Sequence, residues 1–380
     1  MTAWKIPLFD TTFGEEEMNA VLRPLKAGWL TMGDEVVQLE AELRDMTGAA
    51  HAIAVSSATS ALQLAGAALG LGPGDEVLCP TLTMVATANA PRSLGARITL
   101  CDSVGEHDLN IDPAALSAAI TDDTAAIFVM HYAGFACDMD AILDVAGESG
   151  IPVIEDASHA LFTTHKNKTV GLYGDVGCFS FYSNKNATCG EGGAVITNDA
   201  GLAHQIRLLR SHGMTTPTLD RHRGMATTYD VVVPGFNARM DEIRAALLRV
   251  QLGRLPGFLQ LRRKLFREYV EALDGTRIQV PFSTGRYVEE LDETAVHIMA
   301  VLLPSEVDRS DVMAGLKAFG IQTSIHYPPI HRFGPYLGQS GLQRTAALAD
   351  RQLTLPLFPA MTSSDVATVT RGLVALVEGG

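Results

Sequence analysis

The 380-residue chain predicts an α/β fold: a mostly parallel central sheet flanked by helices, followed by a smaller C-terminal α+β domain. Three observations point there. Short apolar runs alternate with helical stretches from residue 52 to about residue 253. Most of those runs are continuously apolar, the pattern of strands buried on both faces. After residue 257 the texture changes to a mixture of strands and helices.

Taken in order, a first helix is expected over 12–27, with Thr12 and Glu15 spaced as a capping box. A second follows Asp34 and places Val36, Leu39, Leu43 and Met46 on one face. Strands are expected at 52–55, 76–79, 97–101, 125–130, 151–155, 178–182 and 193–197, with helices such as 59–69 and 139–149 between them. Then come a helix over 259–273, a strand near 295–303, a helix capped by Ser310, a strand-like stretch at 322–327 and a last helix after Thr362. This divides the chain into a large domain, 1–253, that includes the N-terminal helical segment, and a small one, 254–380.

Composition narrows the function. Hydrophobic residues make up 47% and charged residues 19%, an ordinary globular balance, and the formal net charge is −14. Nucleic-acid binding needs clustered Lys and Arg, and the best run, Arg262-Arg263-Lys264 with Arg267, reads as the solvated face of a helix. No nucleic-acid partner is expected. The cysteines (Cys79, Cys101, Cys137, Cys178, Cys189) are scattered, odd in number and never spaced CxxC, which argues against a disulfide framework and a structural metal site. The N-terminus lacks the charged start and apolar stretch of a signal peptide, and no run reaches about 18 apolar residues. A cytoplasmic protein with no membrane partner is the expectation.

Four places can carry chemistry. In VSSATSAL (55–62) a strand turns directly into a helix, so the free N–H groups at Ser57, Ala58 and Thr59 suit a phosphate, or form a plain helix cap. In IPVIEDASHAL (151–161) Asp156 stands past the end of an apolar strand, where open α/β sheets place their ligand crevice. A carboxylate there can keep a pyridinium nitrogen protonated, or simply cap a helix. His159, three residues on, is placed to reach the same ligand or to sit as a surface histidine. In CFSFYSNKNATCGEGGAV (178–195) a strand delivers Ser180 and then Lys185 ahead of a glycine-rich turn. A lysine short of water becomes a Schiff-base nucleophile. Lys166 and Lys168 are rivals, but HKNKTVG reads as an exposed turn. In PGFNARMDEIRAALLRVQL (234–252) Asn237 and Arg239 sit on a turn before a long helix. Arg239 there can clamp an anion or pair with Asp241 or Glu242.

The order of these sites carries more than any one of them. Together with GWLTMG (28–33), PTLTMVATANA (80–90), FSFYSNKNATCGEGG (179–193), GFNARMDEIRAA (235–246), HYPPIH (326–331) and LTLPLFP (353–359), the chain resembles the DegT/DnrJ/EryC1/StrS sugar aminotransferases over nearly its whole length. The resemblance implies the fold-type-I architecture of pyridoxal-phosphate enzymes, with pyridoxal 5'-phosphate as cofactor. It gives Lys185 the Schiff base and the proton transfer, Asp156 the pyridine nitrogen, and His159 a place near the ring hydroxyl. Ser57, Ala58, Thr59 and Ser180 would hold the phosphate, with Asn237 reaching it from the other subunit of a homodimer with shared active sites. Trp29, Thr31, Arg239, His326 and Tyr327 would lie near the substrate. Two departures stand out. The phosphate loop reads Ser-Ala-Thr where the family often has Ser-Gly-Thr, and Met84 sits where many members stack an aromatic ring on the cofactor.

The implied reaction is a two-stage transamination, from L-glutamate or L-glutamine to a keto-sugar carried on a nucleotide diphosphate. An aminocyclitol (keto-inositol) aminotransferase lies within the same family. A family branch that dehydrates replaces the lysine by histidine, and Lys185 argues against it. A nicotinamide dehydrogenase would need GxGxxG, which the chain lacks, and a non-catalytic cofactor-binding regulator would need an added DNA-binding segment.

Overall fold

The computed structural model describes residues 4–216, 224–225 and 227–379. Its centre is a seven-stranded sheet of order β1-β9-β8-β5-β4-β2-β3. The strands are β1 (His51–Val55), β2 (Glu76–Pro80), β3 (Arg97–Cys101), β4 (Thr124–Met130), β5 (Val153–Asp156), β8 (Val176–Ser180) and β9 (Gly193–Thr197). Only β9 runs against the others, pairing antiparallel with both β1 and β8. The six remaining strands therefore end at one edge of the sheet. A small hairpin, β6 (Thr164–His165) and β7 (Lys168–Thr169), precedes β8.

The continuous apolar runs have a simple cause. Along β1, Ile53 and Val55 join one core with α3 (Ala58–Ala68), α4 (Ala86–Ser93) and α7 (Ala200–Arg210). Ala52 and Ala54 join another with α2 (Asp34–Thr47) and α8 (Glu242–Leu273). Along β4, Phe128 faces the first core, while Ile127 and Val129 pack with α5 (Pro113–Ala119) and α6 (Met139–Ser149). Successive side chains point to opposite faces, so a sheet covered on both sides needs an apolar residue at every position. This is the mostly parallel, helix-flanked sheet that the sequence predicts.

α8 is one 32-residue helix, so the stretch expected to start at 259 is its second half. Its Leu248, Leu252 and Leu255 pack in the core of the large sheet, and its Leu265, Phe266, Tyr269 and Leu273 in the core of the C-terminal half. The expected division at 253/254 falls inside it. In that C-terminal half β10 (Met299–Leu302) pairs antiparallel with β11 (Gln352–Leu355), flanked by α9 (Arg309–Ala318), α10 (Gln343–Arg351) and α11 (Ser363–Glu378). The N-terminal segment joins the same core: Ile6 bridges Ile321, and Leu357 N–H donates to the Leu8 carbonyl.

Several local expectations are corrected. α1 spans Glu15–Ala27 and has no capping box of Thr12 with Glu15: its N-cap is Gly14, which has no side chain, and only Glu17 Oε2 reaches back, accepting from Gly14 N–H at 2.8 Å. Met46 is exposed while Val36, Leu39 and Leu43 are buried, because the apolar face of α2 ends one turn earlier. Asp308, not Ser310, caps α9, its carboxylate accepting from Ser310 and Asp311 N–H. Arg262 is buried rather than solvated: its Nη1 donates to the His297 and Leu357 carbonyls at 3.1 Å. Charge on a helix face is no guide to exposure when the next element supplies carbonyls in place of water.

Candidate active site

A cavity of about 390 Å³ opens where β1, β2, β5 and β8 end. Ser57, Ala58, Thr59, Met84, Asp156, His159, Ser180, Lys185, His326 and Tyr327 all line it. The parallel strands and the loops after them deliver all of these but His326 and Tyr327 to one crevice because their carboxyl ends share an edge, and His326 and Tyr327 come to it from the C-terminal half.

At one end lies the N-terminus of α3. Ser57 caps it, its Oγ accepting from Ser60 N–H at 3.1 Å, which leaves the earlier N–H groups facing the cavity with the positive end of the helix dipole. β9 passes directly beneath: a Cβ on Gly193 would sit 2.4 Å from the Ser57 carbonyl carbon and 2.6 Å from Ala58 N. Only glycine permits that approach. Ser180, the last residue of β8, and Gly192 close the same end.

At the centre, Asp156 ends β5 and is buried. Its Oδ2 accepts from Thr87 Oγ1 at 2.7 Å and its Oδ1 from Ser158 N–H at 3.1 Å. Since Thr87 gives its proton to the carboxylate, Thr83 Oγ1 must donate to Thr87, 2.7 Å away. His159 contacts the Tyr327 hydroxyl through Nε2 at 2.8 Å, while its Nδ1 is buried without a partner.

Lys185 leaves the turn after β8 and reaches into the cavity. Burial pushes its ammonium down to about 7, against the pull of Asp156. The same burial, with Lys185 close by, holds His159 well below the usual histidine range and brings His326 to about 4. The site therefore presents an amine that is half neutral near pH 7, neutral imidazoles and a carboxylate. Such a set can hold a phosphate-bearing aromatic aldehyde: helix N–H groups for the phosphate, a carboxylate for a ring nitrogen, and an amine for the aldehyde carbon.

Four expected site residues lie outside this lining. Asn237 is exposed, and Arg239 keeps a buried Nη1 without a hydrogen bond. Arg239 pairs with neither expected partner. Asp241 caps α8 and pairs with Arg244 at 3.2 Å, and Glu242 accepts from Gly33, Glu35 and Val36 N–H at the start of α2. Trp29 and Thr31 sit on the segment that Glu242 ties down. Asn237 and Arg239 flank the α3 end of the cavity, since the Ala238 carbonyl between them accepts from Ser56 N–H at 2.8 Å. The stretch 215–230 lies partly outside the described residues.

Sequence reasoning missed Thr87, His297, Tyr182, Asn184 and Glu191. Thr87 stands in the motif at 80–90, but its contact spans 69 residues. His297 lies in an apolar run that reads only as strand, yet its Nε2 is 3.4 Å from Lys185 Nζ. Lys166 and Lys168 lie on the β6–β7 hairpin, exposed, as the turn reading had them. Among the described residues no cluster of potential metal ligands forms and no helix is long and apolar enough to cross a membrane.

The model of the DegT/DnrJ/EryC1/StrS aminotransferase family matches residues 11–374. The spore coat polysaccharide biosynthesis protein SpsC of Bacillus subtilis (strain 168) is 38% identical over 384 residues, covering 98% of this chain and 97% of that protein. Helicobacter pylori PseC, an aminotransferase involved in the biosynthesis of pseudoaminic acid, superimposes with a TM-score of 0.90 at 26% identity, over 99% of this chain and all of that chain (100%). DesI, solved in the presence of its TDP-sugar product, does so with a TM-score of 0.88 at 30% identity, over 99% and 95% of the two chains. On these matches and this cavity, the chain belongs to the DegT/DnrJ/EryC1/StrS aminotransferase family, whose members use pyridoxal phosphate.

Proposed function

We propose that this sugar aminotransferase moves an amino group from L-glutamate or L-glutamine to a ketone on a deoxysugar carried by a nucleotide diphosphate. The observation that carries the chemistry is the buried Lys185 amine, lowered to about 7, in one cavity with Asp156 and the N-terminus of α3. When bound, pyridoxal phosphate supplies an aldehyde that condenses with amines and a ring that stores an electron pair.

Each residue then has a task. The Ala58 and Thr59 N–H groups and Ser180 would bind the phosphate. Asp156, held as a hydrogen-bond acceptor by Thr87 and Ser158, would keep a proton on the ring nitrogen. His159 would face the ring hydroxyl through its unpartnered Nδ1. Lys185, neutral in part near pH 7, would take a proton from the substrate carbon on its Nζ and return it at the carbon two bonds away, across the bridging nitrogen. Met84, half exposed on the cavity wall, would cover the ring with its thioether.

The nucleotide-sugar reading is supported by DesI, solved in the presence of its TDP-sugar product. A homodimer with shared sites is supported by Asn237 and Arg239. They sit beside the α3 N-terminus but outside the lining of their own cavity, and Val231 and Val232 a few residues earlier in the chain are exposed. Five buried free cysteines suit a reducing compartment such as the cytoplasm.

Two measurements decide. Borohydride reduction of the holoenzyme should place the pyridoxyl group on Lys185, and Lys185→Ala should keep its circular dichroism while losing at least ~10³-fold in turnover. Label on another lysine overturns the assignment. Assay against keto-sugar nucleotides and keto-inositols, with glutamate or glutamine, then reads the substrate. Turnover confined to keto-inositols would replace the nucleotide-sugar reading with aminocyclitol synthesis.

A further inference from the structure

His297 takes no part in the reading above, yet it is buried against the reacting amine. Its Nε2 lies 3.4 Å from Lys185 Nζ, and its ring centroid 4.4 Å from that of His159. The hydrogen bonds around it settle which nitrogen carries the proton. Asn186 Nδ2 donates to the Ala295 carbonyl at 2.8 Å, so the amide must turn its oxygen the other way. That oxygen lies 3.1 Å from His297 Nδ1, and an amide oxygen only accepts. Nδ1 therefore carries the hydrogen, and Nε2 offers a lone pair to Lys185.

The loop bearing His297 is fixed from several sides. His297 N–H donates to the Ala133 carbonyl at 2.7 Å, Arg262 Nη1 to the His297 carbonyl at 3.1 Å, and Arg263 Nε to the Thr294 carbonyl at 2.7 Å. The charged and titratable groups around the ring are Lys185 from the turn after β8, His159 from the turn after β5, Arg262 from α8 and His326 from the C-terminal half. Burial first, then these neighbours, hold the imidazole neutral.

We propose that His297 is a positioning residue for Lys185: an imidazole, with its hydrogen on Nδ1, whose Nε2 accepts an N–H of the amine whenever that amine is free. The bond would restrict the long side chain to one direction and leave the lone pair of the neutral amine for the cavity. It would also favour the ammonium, offsetting part of the burial penalty. The proton that Lys185 takes from substrate stays on Lys185 until it is returned; none passes to His297. The neighbouring Asn186, through its own bond to Ala295, sets the tautomer.

The proposal rests on Lys185 being the active amine, and its test reads side-chain protonation rather than turnover. In enzyme loaded with pyridoxamine phosphate, where Lys185 is free, ¹⁵N-histidine NMR should show His297 protonated on Nδ1 and bare on Nε2 across pH 6–9. Titration of ¹³Cε-labelled lysine should give Lys185 a midpoint that falls by about one pH unit in His297→Phe and returns in His297→Gln, which restores an acceptor. A His297 protonated on Nε2, or a Lys185 midpoint equal in wild type and His297→Phe, overturns the proposal. The NMR of the unaltered enzyme needs no variant to fold. Borohydride label on another lysine would instead sink the assignment of Lys185.

Discussion

Lys185 shows how a site residue can work against stability. Its ammonium is lowered from 10.5 to about 7 by burial. Below about pH 7 the folded protein must hold that charge out of water, at full cost. Between about 7 and 10.5 the unfolded chain binds a proton that the folded one does not, so this penalty shrinks as pH rises. Lys185→Met should therefore raise the melting temperature of the cofactor-free protein at pH 6.5 by on the order of 5 °C. The gap should close by pH 10.5. Calorimetry at the two pH values checks it, and a gap independent of pH would contradict the burial account. Thr87 offers a second test. Thr87→Val keeps the volume but removes the hydroxyl that Asp156 accepts from. A bond to a charged group is worth ~1.5–3 kcal/mol, so kcat/KM should fall about 10- to 100-fold, with Thr87→Ser retaining most of it.

At the scale of elements, the motif residues at 55–62, 151–161 and 178–195 were legible because each stands where an apolar run stops. Strand ends are visible in a sequence, and in a parallel sheet strand ends are where ligands bind. Thr87 and His297 were not legible, since their partners lie far along the chain and their local patterns read as helix and strand. β9 shows the same limit. Its GAVIT sequence reads as another parallel strand, and nothing local says that it runs backwards beneath the N-terminus of α3. That passage makes Gly193 a test of the element. Gly193→Ala places a Cβ 2.4 Å from Ser57 backbone. The cup must open, and the cofactor dissociation constant should rise at least ~10-fold by equilibrium dialysis. Unchanged affinity would show that β9 yields instead.

At the scale of the whole molecule, the proposed dimer makes its own prediction. If Asn237 serves the neighbouring site, Asn237→Asp and Lys185→Ala should each be inactive alone. Co-expressed, they should recover about a quarter of wild-type turnover, because half the dimers are hybrids with one intact site. No recovery, with dimers present by sedimentation, would return Asn237 to its own chain. What the sequence determined by itself was the layered sheet, the strand-to-helix turn at 55–62, and the succession of Asp156, Ser180 and Lys185. Those follow from periodicity and from chain breaks, which are local. Tertiary structure decided which groups meet: α8 threading through two cores, Glu242 capping α2, Arg262 buried, and Thr87 and His297 brought against Asp156 and Lys185. Such contacts depend on the direction and crossing of elements distant in the chain, and hydropathy periodicity carries no record of either.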